Sequence, residues 1–206
     1  MLQIKNYTLY SNHKQLLRIH ELAIDPGQLV YIQGVNSCGK SLFLKSLTGK
    51  YADYHGDITF KKEPISNHHD RNNIILIDNE LPVLKHKTYL ENIQVPFGEL
   101  TMTQKNRLIE MATILNALDT LNEKMEYSSQ SQKAVMYLLR AALISPSLLM
   151  IDDLDNYFDQ ESSANVLHFI KYCLKSGIIF IATGKSKIEN VVHLAITKGE
   201  LVRYEC

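Results

Sequence analysis

Cysteine is scarce in this chain, with three residues, Cys38, Cys173 and Cys206, odd in number and irregularly spaced. That pattern suits reduced thiols in a cytoplasm better than a disulfide or zinc framework. A charge surplus is also missing. Lys and Arg together number 22, as do Asp and Glu, and the pI is near 7.1. The composition therefore carries no electrostatic footprint for nucleic acid, and doublets such as Lys61-Lys62 are too short to make one. Long apolar runs are absent. Each is strand-sized, well under the roughly 20 residues of a bilayer-spanning helix. The opening MLQIKNYTLY lacks the charged-then-apolar order of a secretion signal. No internal repeat, linker or low-complexity segment interrupts the chain. These absences lead us to expect a soluble cytoplasmic protein. Its 206 residues, 45% of them hydrophobic, suffice for one sizeable core.

What is present alternates between two periods. QIKNYTLY and LRIHELAI read as strands, and the DPG turn at residues 25–27 leads into QLVYIQ, a third. GDITF and NIILID follow as strands. From Tyr89 to about Ser145 the apolar residues recur at three- and four-residue intervals, through KNRLIEMATILNAL and SQKAVMYLLRAALI, which predicts helices. SLLMID is again a strand, SSANVLHFIKYCLK a helix and GIIFIAT a strand. VVHLAIT and ELVRYEC close the chain as a hairpin around Lys198-Gly199. The alternation predicts an α/β fold with a mainly parallel sheet, antiparallel strands at the N-terminus and a helical lobe inserted at about residues 89–145.

Residues 34–41, GVNSCGKS, fit the pattern G-x-x-x-x-G-K-[ST] between a strand and a helix. A loop of this kind turns successive backbone N–H groups inward as an anion nest, and the following helix adds its positive end. The candidate phosphate-binding residues are Gly34, Val35, Asn36, Ser37, Cys38, Gly39, Lys40, Ser41 and Leu42. Lys40 supplies a charge for the β- and γ-phosphates, and the Ser41 hydroxyl can ligate Mg²⁺. Cys38 is a small loop residue, since nothing near it in sequence reads as a base. Downstream, the apolar strand LLMI delivers Asp152 and Asp153 to the sheet's C-terminal edge, where ligands of open α/β sheets bind. Asp152 is then the carboxylate that holds Mg²⁺. The competing reading is that the pair caps the next helix.

The two motifs, their order and their spacing resemble the ATP-binding subunit of an ABC transporter over nearly the whole chain, residues 1–206 as one domain. RAALISPSLLMIDD is similar to that family's run from the signature helix into the Walker B strand. The resemblance implies further roles. Tyr10 falls where an aromatic stacks on adenine, Asn79 where the Q-loop glutamine belongs, and Ser129-Gln130-Ser131-Gln132 on the signature S-G-G-Q. Ser129 and Ser131 are then nucleotide contacts, and residues 156–159 form the D-loop. It also implies ATP and Mg²⁺ as cofactors, a second ATP-binding subunit (homo- or heterodimer), and an integral membrane permease-like partner that keeps the chain peripheral on the membrane's inner face. The segment YLENIQVPF brings it nearest the subgroup of cell division and lipoprotein release.

Departures from the family pattern gather at the chemistry. Asp153, the candidate catalytic residue, stands where the family has glutamate, and its carboxylate falls short by about 1.5 Å, one C–C bond. A displacement of about 1 Å can cost around a hundredfold in rate. Gly184 replaces the switch histidine, and no neighbouring histidine takes its place before His193. Asn79 can still offer an amide oxygen to Mg²⁺ or water, with a shorter reach than glutamine. Gln130-Ser131 replace two glycines that let backbone N–H groups approach the facing subunit's phosphate. Ser37 replaces a glycine and Leu42 a hydroxyl residue, which a nest built from backbone tolerates. ATP binding and slow hydrolysis are expected, with a non-hydrolysing scaffold as the alternative. A small-molecule kinase would need lid arginines, and the lobe has only Arg107 and Arg140. A DNA-associated member would need a coiled coil or a basic face. The segment SNHHDR at 66–71 has no second ligand cluster to make it a metal site.

Overall fold

A computed structural model describes residues 1–67, 73–185 and 191–204. Residues 68–71 of the SNHHDR segment and Cys206 lie outside the described residues. Strands β1 (Leu2–Ser11) and β2 (Lys14–Ile24) form an antiparallel hairpin. Then follow β3 (Leu29–Gln33), α1 (Lys40–Leu47), β4 (Tyr54–Phe60), β5 (Glu63–Pro64) and β6 (Ile74–Ile77). Three helices occupy the middle of the chain: α2 (Tyr89–Gln94), α3 (Met102–Ile114) and α4 (Gln130–Ile144). The chain returns through β7 (Leu148–Ile151), α5 (Gln160–Leu174), β8 (Ile179–Gly184), β9 (Val192–Thr197) and β10 (Glu200–Tyr204).

All ten described strands join one sheet in the order β5-β4-β1-β2-β10-β9-β3-β8-β7-β6. The run β9-β3-β8-β7-β6 is parallel throughout, and β5-β4-β1-β2 is antiparallel throughout. The two halves meet through β10, antiparallel to β9 and touching β2 in parallel at Glu200 and Arg18. The expected α/β fold therefore forms, with its antiparallel part extended by the terminal hairpin.

The core follows from strand alternation. The central strands are buried on both faces, so they read as continuous apolar runs. Tyr31, Leu149, Ile151, Phe180 and Ala182 point to one side, where they pack with Leu138 of α4 and Phe169 of α5. Val30, Ile32, Leu148, Met150 and Ile181 point to the other, against Phe43, Leu44 and Leu47 of α1 and the β1–β2 hairpin. Capping boxes start α2 at Thr88 and Glu91, α3 at Thr101 and Gln104, and α4 at Ser129 and Gln132. Leu108 and Met111 of α3 share the packed cluster of α5, so the helical middle leans on the sheet instead of enclosing a core of its own.

Candidate functional site

The loop after β3 is tied to the sheet at its first residue, where the Gly34 N–H donates to the Gly184 carbonyl at 3.3 Å. It closes at Gly39, whose φ of 103° few L side chains adopt, with Leu9 and Leu16 packed against the space a Cβ would fill. The turn of Ser37 is also left-handed, at φ 62°. Lys40 opens α1 with 5% of its surface exposed. Its ammonium donates to the carbonyls of Gly34 at 2.8 Å and Val35 at 3.1 Å, and lies 4.0 Å from Asp153 Oδ1. Asn36, Ser37, Gly39, Lys40, Ser41 and Leu42 form the floor of a cavity of about 830 Å³. Ser11, Asn12 and Lys14, at the turn of the β1–β2 hairpin, close one side, and Asp153, Asn156 and Lys185 the other. Val35 stands largely in solvent, and the Cys38 side chain packs behind Gly34.

The two aspartates have different environments. Asp152 is buried; its N–H donates to Ile77 O at 2.8 Å, and its Oδ1 accepts the Thr183 hydroxyl at 2.7 Å. The same Thr183 oxygen accepts the Asp153 N–H at 2.9 Å. Asp153 takes a left-handed turn, φ 51°, that brings its carboxylate into the cavity wall. Its Oδ2 accepts from the Asn156 amide at 3.3 Å, and its Oδ1 is buried with no hydrogen-bond donor among the described residues. Neither aspartate caps the next helix. Asp159 does that for α5, accepting the Ser162 N–H at 2.8 Å, and the Asp153 side chain makes no cap bond to the short turn Leu154–Asn156. Among the described residues no three His, Cys, Asp or Glu gather into a metal cage. The Ser41 hydroxyl, which lines the cavity, and the Asp152 carboxylate, buried just behind the lining and bonded to Thr183, are oxygen ligands of the kind that fit Mg²⁺, a cation that protein carboxylates and ligand phosphates hold together.

The ABC transporter family profile matches residues 17–156, which span this loop and both aspartates. The chain belongs to the ABC transporter family. It is 23% identical over 180 residues to a methionine import ATP-binding protein, MetN, of Clostridioides difficile, covering 83% of this chain and 56% of that protein. It is 24% identical over 211 residues to the cell division ATP-binding protein FtsE of Streptococcus pneumoniae, covering 95% and 91%. The FtsE match is consistent with the cell-division resemblance. A solved chain, cbiO1 of Clostridium perfringens, shares the fold at TM-score 0.79 and 17% identity, over 98% of this chain and 86% of that one.

Other ABC positions are placed less directly. Tyr10 does not face the cavity. A bulge in the β1–β2 ladder follows Leu9, which turns toward Gly39, while the Tyr10 ring meets His55 edge-on at 5.4 Å and its carbonyl accepts the Tyr51 hydroxyl. The neighbours Ser11 and Asn12 reach the cavity wall instead. Asn79, at the Q-loop position, is turned to the D-loop, its amide oxygen accepting the Tyr157 hydroxyl at 3.2 Å. Burial, with the charges of Asp152, Asp78 and Asp153 adding to it, pushes the Tyr157 phenol up to about 12. Ser129 caps α4, accepting the Gln132 N–H at 3.1 Å, and Ser131 lines a separate cleft of about 200 Å³ with Phe158 and Asn165. Neither serine lines the Lys40 cavity of its own chain.

Two residues at the site had no motif to announce them. Tyr31 sits fully buried on β3, and its hydroxyl reaches the space beside Gly184, 2.0 Å from where a Cβ would stand there. Burial, then the nearby charges of Asp155 and Asp153, hold that phenol well above its usual range. Lys185, one residue beyond the switch position, joins the cavity wall. Only a three-dimensional arrangement links them to the loop.

Proposed function

We propose that this chain is an ATP-binding subunit that holds Mg-ATP over residues 34–42 and couples binding and slow hydrolysis to a membrane partner. The observation that carries this reading is the convergence of Lys40, Ser41 and Asp153 on one cavity, with the Lys40 ammonium 4.0 Å from Asp153 Oδ1. Lys40 exchanges its loop carbonyls for β- and γ-phosphate oxygens, and the backbone nest receives the remaining phosphate charge. Ser41 and Asp152 would hold Mg²⁺, which would supply positive charge beside the phosphate oxygens. Asp153 orients the attacking water, and its short side chain makes that step slow. In a dimer, Ser129 and Ser131 of the second subunit close over the nucleotide, which accords with their distance from the chain's own loop. The second subunit is a copy of this chain or a homologue.

The relatives named above are ATP-binding proteins of methionine import and cell division, and cbiO1 is described as part of an ABC transporter complex. These support an integral membrane permease-like partner, with this chain peripheral on the cytoplasmic face. No helix among the described residues is long and apolar enough to cross a membrane, so attachment runs through that partner. The chain spans 56% of the length of the MetN relative.

A second reading, a nucleotide-held scaffold without turnover, draws on Gly184, the side chains of Gln130 and Ser131, and the short carboxylate of Asp153. The test is phosphate release from Mg-ATP by wild type, Asp153→Asn and Lys40→Ala, with ATP binding measured in parallel. Turnover in wild type that vanishes in Asp153→Asn supports the slow ATPase. Binding in both wild type and Asp153→Asn with turnover in neither supports the scaffold, and no binding in wild type rejects both.

A further inference from the structure

We infer that Lys185 reads the terminal phosphate of bound ATP, supplying from the next residue the contact that position 184 cannot make. The inference rests on the nucleotide-binding reading above. Four features of the fold bring Lys185 to that task. Gly184 ends β8 directly beside Gln33, and its carbonyl accepts the Gly34 N–H, so the residue after it emerges against the first turn of the phosphate loop. The backbone of Lys185 is then gripped on both sides. Its N–H donates to Asp155 Oδ2, and its carbonyl accepts the Gln33 side-chain amide at 2.6 Å, a bond spanning 152 residues of sequence.

Lys185 lines the cavity that also holds Lys40, Ser41, Asp153 and Asn156, and it borders a neighbouring one with Gln33, Gly34 and Thr197. A P-loop lysine meets the β- and γ-phosphates, so a second ammonium lining the cavity of Lys40 and Asp153 is in place for the outermost phosphate. Finally, the Tyr31 hydroxyl and Asp155 Oδ2 occupy the space a side chain at 184 would need, the latter 2.7 Å from a Cβ placed there. The contact therefore shifts by one residue instead of being rebuilt in place. Lysine suits the role because a flexible ammonium offers three donors to phosphate oxygens and needs no fixed plane.

The test is calorimetric titration of the full chain with Mg-ADP and with the Mg complex of the β,γ-imido analogue of ATP, in wild type, Lys185→Met and Lys185→Arg. Lys185→Met is expected to weaken the triphosphate about tenfold, the loss of one charged hydrogen bond, and ADP by less than about twofold. Lys185→Arg should keep the triphosphate preference. Equal losses for both nucleotides, no loss for either, or failure of arginine to retain the preference overturns the inference. Nucleotide binding that Lys40→Ala removes while Lys185→Met leaves it unchanged rejects the role of Lys185 alone. A wild-type chain that binds neither nucleotide removes the reading beneath it as well.

Discussion

The floor of the cavity, residues 34–41, and its rim, residues 152–156 with 183–185, differ in which atoms meet a ligand. Along the floor the backbone does most of it, through the left-handed turns of Ser37 and Gly39 and the N-terminal end of α1. A nest built from backbone is expected to tolerate Ser37 in place of glycine and Leu42 in place of a hydroxyl residue, whereas Lys40 and Ser41 act through their side chains. Along the rim the side chains themselves are the working groups. Each change there alters reach or charge, from Asp153 with its missing methylene to Gly184 with its missing imidazole. On the proposed reading, grip on phosphate and rate of hydrolysis rest on different parts of the chain, so the first would persist where the second slows.

Several substitutions sharpen or break that contrast. Lys40→Ala removes the floor's ammonium, and nucleotide affinity should fall about a hundredfold, near 3 kcal/mol for charged hydrogen bonds lost. A much smaller drop in calorimetry would mean that the backbone nest suffices alone. Thr183→Val strips the rim of the hydroxyl that serves both Asp152 Oδ1 and the Asp153 N–H. Urea unfolding should show about 2–3 kcal/mol of lost stability, because the buried Asp152 carboxylate and the part-buried Asp153 N–H lose their partner. Unchanged stability would show that the two aspartates are held in place by other means.

Gly184→His forces an imidazole onto the Tyr31 hydroxyl, and thermal unfolding should reveal overpacking of about 1–3 kcal/mol. Adding Tyr31→Phe should recover part of that loss, and no recovery would place the conflict elsewhere. The smallest effect is in alkali. The Tyr157 phenol, near 12 in the folded chain against 10 in the unfolded one, contributes stability that is intact below pH 10 and lost as the pH climbs toward 12. Tyr157→Phe should flatten the decline of the denaturant midpoint in that window, and an equally steep decline would assign it to other groups.

The sheet and the floor were legible because each rests on local pattern. Period-two runs became buried strands, period-3.6 runs became α3, α4 and α5, and the loop's glycines and lysine sit adjacent in sequence. The rim was legible only in part. Asp152 and Asp153 could be named from the strand before them, and Asp159 had to be seen bonded to Ser162 before helix capping was excluded for them. A register shift after Leu9 leaves Tyr10 against His55 while Ser11 and Asn12 line the cavity, and bulges leave no mark in composition. Asn79 was assigned by spacing, yet spacing says nothing about the Tyr157 hydroxyl that engages it across 78 residues. The grip on Lys185 depends on Gln33 and Asp155, residues that strand pairing alone brings together.

The Tyr31 hydroxyl beside Gly184 also bears on how this chain could be re-engineered. With that space taken by Tyr31 and Asp155, a larger side chain at 184 meets a filled volume, so it has to be introduced together with a smaller residue at 31. The two positions form one unit of design, and neither can be altered as if the other were absent.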